Sequence, residues 1–249
     1  MHDTHEAAGS IPAGRTVSPP QVIYEDKEFL IVNKPAGLLV HGDHPSLVDW
    51  LLVKYPEILR VGDDPKNRPG IVHRLDKDTS GVMLICRTPA AFDYFKKLFQ
   101  NHQIKKTYRA LVYGEMKKQE GLIEKPIGIK SGSVRRTTNL KTARMIKSAL
   151  TRYRVKKILE KDGQKYSWLE VKPEAGRTHQ IRVHLAAIGH PIVGDRLYGS
   201  KRRSLLAPRQ FLHAESLEFK TPTGTQLKVS ADLPEELQKI LAIYSDTEH

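Results

Sequence analysis

Asp76 lies in "GIVHRLDKDTSGVMLICRT" (residues 70–88), where His73, Arg74, Asp76, Lys77 and Asp78 crowd into six positions ahead of an apolar run. The run Val82–Cys86 reads as a buried strand, so these charges stand at the entrance to the core. A carboxylate half-buried at such a place is costly unless it is paired. Arg74, two residues earlier on an extended segment, shares a face with Asp76. Further guanidinium partners are available in "SVRRTT" (Arg135, Arg136) and "GRTHQIR" (Arg177, Arg182). A carboxylate held by an arginine stays ionised and can act as nucleophile or general base. The structural alternative is an aspartate that caps the turn at Thr79–Gly81. Asp78 reads as a turn residue, and His73 as a structural hydrogen-bonder.

Other chemistries find little support. There are 11 histidines but one cysteine, Cys86, and no HExxH or cysteine cluster. His179 and His184 are separated by about 500° around a helix and point in different directions. No GxGxxG, GxxxxGK[ST] or GxSxG occurs. No cofactor and no metal are therefore expected. The 249 residues carry 41 Lys+Arg against 28 Asp+Glu, a net charge of +13 with a pI near 9.7. Such a balance points to a polyanionic partner, since each neutralised phosphate releases condensed counterions. Apolar runs are short, so a membrane span is not expected. Residues 1–20 lack the apolar segment of a secretory signal, and a single cysteine suits a reducing compartment, so the cytoplasm is the expected location.

The elements that must position Asp76 follow from periodicity. Residues 1–20 read as a flexible tail, and residues 21–249 as one domain. "VIYEDKEFLIVNK" reads as two strands, and "SLVDWLLVKYP" as a helix capped by Ser46 and stopped at Pro56. A second helix has Thr88 as its cap and Pro89 first, with Phe92, Phe95, Leu98 and Phe99 as its stripe. "KTYRALVYG" alternates as a strand that carries Tyr108, while residues 115–149 read as a basic hairpin or long loop. A helix is expected from about Thr178 to Gly189, with Ile181, Leu185 and Ile188 buried and Arg182 at the edge of that face. Strands also fit "LTRYRVKKILE", "YSWLEVKP", "FLHAESLEF" and "QLKVSA", and "PEELQKILAIY" fits a last helix. Strands without strict β-α alternation imply an α+β fold: a mixed, largely antiparallel β-sheet with flanking helices.

"HRLDKDTSG" resembles the HRLDxxTSG signature of the RluA/RluD-type pseudouridine synthases. "YEDKEFLIVNKPAGLLVH", "KKTYRALVYG", "GRTHQIRVHLAAIGHPIVGDRLYG" and "LLAPRQFLHAESLEF" resemble further blocks of that family in the same order, over about residues 21–230. The resemblance implies a fold with a central RNA-binding cleft and isomerisation of uridine to pseudouridine without cofactor or metal. It implies that Asp76 is the essential aspartate, that Tyr108 stacks on the target base and handles its carbon-5 proton, and that Arg182 ion-pairs with Asp76. It also implies that Arg74 fills the space of the flipped-out nucleotide. His73, Arg177, Arg135 and Arg136 are expected beside Arg74 on the RNA-binding side.

Only about 20 residues precede "VIYEDKEF", so the small RNA-binding domain of many family members is expected to be absent. Substrate choice then rests on residues 128–149 and "GSKRRSLLAPR". The expected partner is a ribosomal or transfer RNA stem-loop, met by a monomer. A catalytically silent RNA-binding or ribosome-assembly protein would explain the charge but not the set Asp76, Tyr108 and Arg182. An RNA N-glycosylase would release free uracil, which an isomerase does not.

Overall fold

Apolar runs and turn residues set the elements of the computed structural model, which describes residues 18–133, 135–199 and 207–245. The strands are β1 (Gln21–Glu25), β2 (Phe29–Lys34), β3 (Ser80–Cys86), β4 (Lys105–Tyr113), β5 (Glu120–Glu124), β6 (Ile127–Lys130), β7 (Arg136–Thr137), β8 (Ala143–Lys147), β9 (Leu150–Lys161), β10 (Gln164–Pro173), β11 (Leu212–Lys220) and β12 (Gln226–Ser230). The helices are α1 (Leu47–Lys54), α2 (Pro89–Gln100), α3 (Gln180–Ala187) and α4 (Glu235–Ser245). Most of the expected tail, residues 1–17, and residues 200–206 of the expected basic insertion lie outside the described residues.

Nine strands form one sheet in the order β1-β2-β3-β11-β4-β10-β9-β5, with β12 beside β11. Only β3 and β11 pair in parallel; the other pairings in this sheet are antiparallel. The fold is thus α+β with a mixed, largely antiparallel sheet. β3 is buried along its whole length, which explains its unbroken apolar sequence. Met83 and Ile85 pack with Leu47 and Leu51 of α1, while Val82 and Leu84 pack with Phe92 and Phe95 of α2 on the opposite face. Gly81, second in this strand, has φ +120°, and a Cβ there would run into the Ala214 carbonyl of β11. Glycine therefore lets β3 approach β11 directly after the charged loop.

Local chemistry sets the helix ends. Ser46 and Asp49 form a reciprocal capping box at α1, and the Thr88 hydroxyl accepts from Ala91 N–H at α2. Three expectations need correction. Residues 115–149 are not a plain hairpin or loop: β5 joins the edge of the large sheet, and β6, β7 and β8 form a separate three-stranded sheet in the order β7-β6-β8. α3 starts at Gln180 rather than Thr178, because His179 adopts a left-handed conformation at φ +57° and cannot continue the helix. Arg182 is not at the edge of a buried face either. Every residue from Gln180 to Leu185 is buried, so the helix is enclosed on nearly all sides. Among the described residues no helix is long and apolar enough to cross a membrane.

Candidate active site

Asp76 opens a tight turn in which its carbonyl accepts from Thr79 N–H, directly ahead of β3. Buried side chains from distant segments hold that turn. Lys34, fully buried at the end of β2, donates to the carbonyls of Lys77, Pro35 and Leu38 at 2.8–3.0 Å. Burial pushes the Lys34 ammonium down to about 7 against the pull of Asp78 and Asp76. Arg209 donates to the Asp78 carbonyl at 3.0 Å and to Ser80 Oγ at 2.9 Å, and it is anchored on Glu236 of α4. Gln210 donates to Thr79 Oγ1 at 2.9 Å. The turn that carries Asp76 is therefore held by three buried side chains from two distant segments.

The carboxylate itself faces α3. Asp76 Oδ2 accepts from Arg182 Nη1 at 2.8 Å, and Oδ1 lies 3.8 Å from His179 Nε2. The other edge of the Arg182 guanidinium forks onto Asp195, with Nε to Oδ2 at 2.8 Å and Nη2 to Oδ1 at 2.9 Å. Asp195 is fully enclosed and also accepts from the Leu197 and Tyr198 N–H groups. Arg182 thus bridges two carboxylates, with its guanidinium 5.2 Å from the Tyr198 ring centroid. Burial alone would lower the Arg182 pKa, but its bonds to Asp195 and Asp76 win and raise it. Burial would likewise raise Asp195, yet Arg182 and the two N–H donors hold it below the usual carboxylate range.

A cavity of about 560 Å³ opens over Asp76, a size suited to a small-molecule moiety. Asp76 is the single carboxylate among its described lining residues, whereas Arg68, Arg74, Lys106, Arg177 and Arg182 bring five cations. Tyr108 lines it from β4, where it is paired with Ala214 of β11 and Val171 of β10. Burial and then the Asp76 charge raise the Tyr108 phenol, so it carries its proton at neutral pH. Lys106, two residues along the same strand, donates to the carbonyls of Glu174 and Ala175, and burial pushes it down to about 8.

Of the residues expected from sequence, Asp76, Tyr108, Arg182, Arg74, Arg177 and His73 all line this cavity. Arg74 is exposed at its rim and donates to His41 Nε2 at 3.1 Å. Arg177 lies between this cavity and a smaller one beside Arg136 and Lys147. His73 forms wall: its Nε2 accepts from Leu84 N–H at 2.9 Å and its ring stacks on Phe99 at 4.5 Å. Burial pushes His73 down to about 3, so it is a neutral ring here and not a cation for phosphate. Neither Arg135 nor Arg136 lines the Asp76 cavity; Arg136 lies in β7 of the small sheet, and Arg135, just before it, donates to the Leu197 carbonyl. Sequence reasoning missed Asp195, Tyr198, His179, Lys34 and Arg209. Asp195 had one available signal, a lone acid ending the apolar "HPIVGD".

A family profile described as RNA pseudouridylate synthase matches residues 28–187, more than half of the chain. The chain is 37% identical over 248 residues to a ribosomal large subunit pseudouridine synthase D of Yersinia pestis, covering 92% of this chain and 72% of that one. It is 38% identical over 229 residues to an uncharacterised RNA pseudouridine synthase of Synechocystis, covering 90% of this chain and 68% of that one. The solved structure of human RNA Pseudouridylate Synthase Domain Containing 1 superposes with a TM-score of 0.70 at 26% identity, covering 91% of this chain and 95% of that one.

Proposed function

The chain belongs to the RNA pseudouridylate synthase family, and from that premise we propose that it converts uridine to pseudouridine in RNA with Asp76 as the reacting carboxylate. The observation that carries this reading is the Asp76 carboxylate, held by Arg182 at 2.8 Å in a cavity whose other charged lining residues, among those described, are Arg and Lys. Base and phosphate require different parts of that cavity. The cations attract the RNA backbone, and the target nucleotide leaves its stack to reach a carboxylate recessed below them. The glycosidic bond from ribose carbon-1′ to N1 breaks, the uracil turns, and carbon-5 bonds to carbon-1′. N1 gains a proton and carbon-5 loses one, so the product is an isomer. Arg182 remains beside the Asp76 carboxylate and balances its charge as water leaves the site. Tyr108 supplies an aromatic face on which detached uracil can turn without leaving. In this reading Arg74, exposed at the rim, fills the vacated stack. Large-subunit ribosomal RNA is the first candidate substrate, since the Yersinia relative is named for it.

The test is release of tritium from RNA carrying uridine tritiated at carbon 5, prepared from cells lacking this protein. Tritium should enter water with no free uracil, and pseudouridine should appear at the corresponding sites. Free uracil would reassign the protein to glycosidic cleavage without rejoining; no release from ribosomal or transfer RNA would remove the activity. Tyr108→Phe keeps the ring and loses the hydroxyl. A protonated phenol can take up the carbon-5 proton only by passing its own on, and the Asp76 carboxylate in the same cavity is the base that receives it, so the hydroxyl acts as a relay. Tyr108→Phe should therefore bind RNA normally and lose at least about a hundredfold in rate, the usual range for a positioned proton-transfer group. A near wild-type rate would leave Tyr108 with stacking alone.

A further inference from the structure

His179 combines two features that the helix it precedes does not need. Its backbone lies in the left-handed region at φ +57°, sparsely used by residues other than glycine. Its ring spans the gap between Tyr198 and Asp76, with Nδ1 2.9 Å from Tyr198 Oη and Nε2 3.8 Å from Asp76 Oδ1. The charged and titratable groups around it are Asp76 before β3, Arg182 on α3, Asp195 and Tyr198 after α3, and Arg136 on β7. As a cap of α3 its side chain contributes nothing, for it makes no hydrogen bond to the helix N-terminus.

The Tyr198 contact and the facing Asp76 carboxylate together favour one tautomer. The Tyr198 hydroxyl accepts from Arg136 N–H at 2.9 Å, which leaves its own proton free for a second partner. His179 Nδ1 is that partner. Burial lowers the His179 pKa despite the nearby Asp76, which favours the neutral ring. With Nδ1 accepting from Tyr198, the single ring proton sits on Nε2 and faces Asp76 Oδ1; the opposite tautomer would turn a lone pair toward a carboxylate. The two oxygens of Asp76 thus differ. Oδ2 is committed to Arg182, whereas Oδ1 lies 3.8 Å from His179 Nε2, longer than a hydrogen bond, on a residue that lines the cavity.

We propose that His179 is a positioning residue for this reaction: it holds the reactive Oδ1 of Asp76 in line, in a tautomer set by Tyr198 and the Arg136 backbone N–H. This rests on the reading of Asp76 as the reacting carboxylate. It also links the small basic sheet, through β7, to the orientation of that carboxylate.

The test compares single-turnover tritium release with RNA affinity for His179→Ala, His179→Gly, His179→Gln and Tyr198→Phe, alongside Asp76→Asn. His179→Gly removes the side chain and the left-handed strain together, so it should melt no lower than His179→Ala. Both deletions should slow turnover by between about ten- and a hundredfold, as misalignment of a reactive group does, while RNA Kd stays within about twofold. His179→Gln restores a side-chain N–H toward Oδ1 and should recover most of that loss. Tyr198→Phe should show a smaller loss of the same kind. Wild-type turnover in the deletions beside an inactive Asp76→Asn overturns this inference alone. So does a loss confined to Kd, or a His179→Gln no faster than His179→Ala. Turnover by Asp76→Asn overturns the parent reading, and this one with it.

Discussion

Asp76→Asn should fold, bind RNA and form no pseudouridine. The substitution keeps the shape of the side chain, and its amide oxygen can still accept from Arg182 Nη1, the contact now made at 2.8 Å. Arg182 also keeps its two bonds to Asp195, so no buried charge is left without a partner. The turn beneath position 76 is fixed through Lys34, Arg209 and Gln210, none of which bonds to the Asp76 carboxylate. Stability should therefore change by no more than about 1 kcal/mol, the scale of a partly exposed ion pair. Activity behaves differently because the negative charge itself is lost. Whether the carboxylate attacks ribose, attacks uracil or removes a ribose proton, an amide does none of these. The expected loss in single-turnover rate is at least about a thousandfold, within the range for deleting a positioned base or nucleophile. Thermal melting, RNA binding and tritium release on one preparation separate the three quantities. Measurable turnover by a folded Asp76→Asn would sink the assignment.

What sequence reveals about this protein divides by the range of the signal. The caps at Ser46 and Thr88 and the apolar run of β3 are encoded within a few residues, and all three appear where periodicity and side-chain chemistry place them. The Asp76–Arg182 pair joins positions 106 apart, and physics alone names several arginines as partners; only resemblance to a family selects one. Burial of Arg182 is hidden for a related reason. Helical periodicity puts a charge at the edge of an apolar face, but here two carboxylates from other segments close around it and make the buried position tolerable. The small sheet is obscured by composition. Its strands run two to five residues in a polar, basic stretch with Ile127 as a buried anchor, so alternation is too brief to register. Lys34 and Arg209 read as surface cations in any linear scan. Their role appears only when the Asp76 turn presents carbonyls to them.

Arg182→Ala should damage both stability and chemistry, and the pH dependence of the damage tells why. The substitution strands two acids. Asp195, with no exposed side-chain surface, keeps only the Leu197 and Tyr198 N–H donors, and Asp76 keeps only the His179 contact at 3.8 Å. Breaking a buried pair by removing one partner costs about 3–5 kcal/mol. The sign of the pH effect follows from Asp195. In the wild type its pKa is held low, so its contribution is complete above the ordinary carboxylate value and fades as pH falls through the depressed native value. Without Arg182, burial prevails and raises the native pKa of Asp195 above its unfolded value. The variant is then penalised at neutral pH and relieved as acid protonates the stranded carboxylate. The melting difference between wild type and Arg182→Ala should therefore narrow from pH 7 toward pH 4–5. The double variant Arg182→Ala/Asp195→Asn should melt above Arg182→Ala, since it removes the uncompensated charge. Arg182→Lys restores a charge but not the fork that spans both acids, so it should regain part of the stability and little of the rate. For Arg182→Ala itself the rate loss should be at least about a hundredfold, comparable to removing one preorganised electrostatic donor. A melting difference that stays constant with pH would mean that Arg182 supports the fold by packing, and a wild-type rate would remove it from the chemistry.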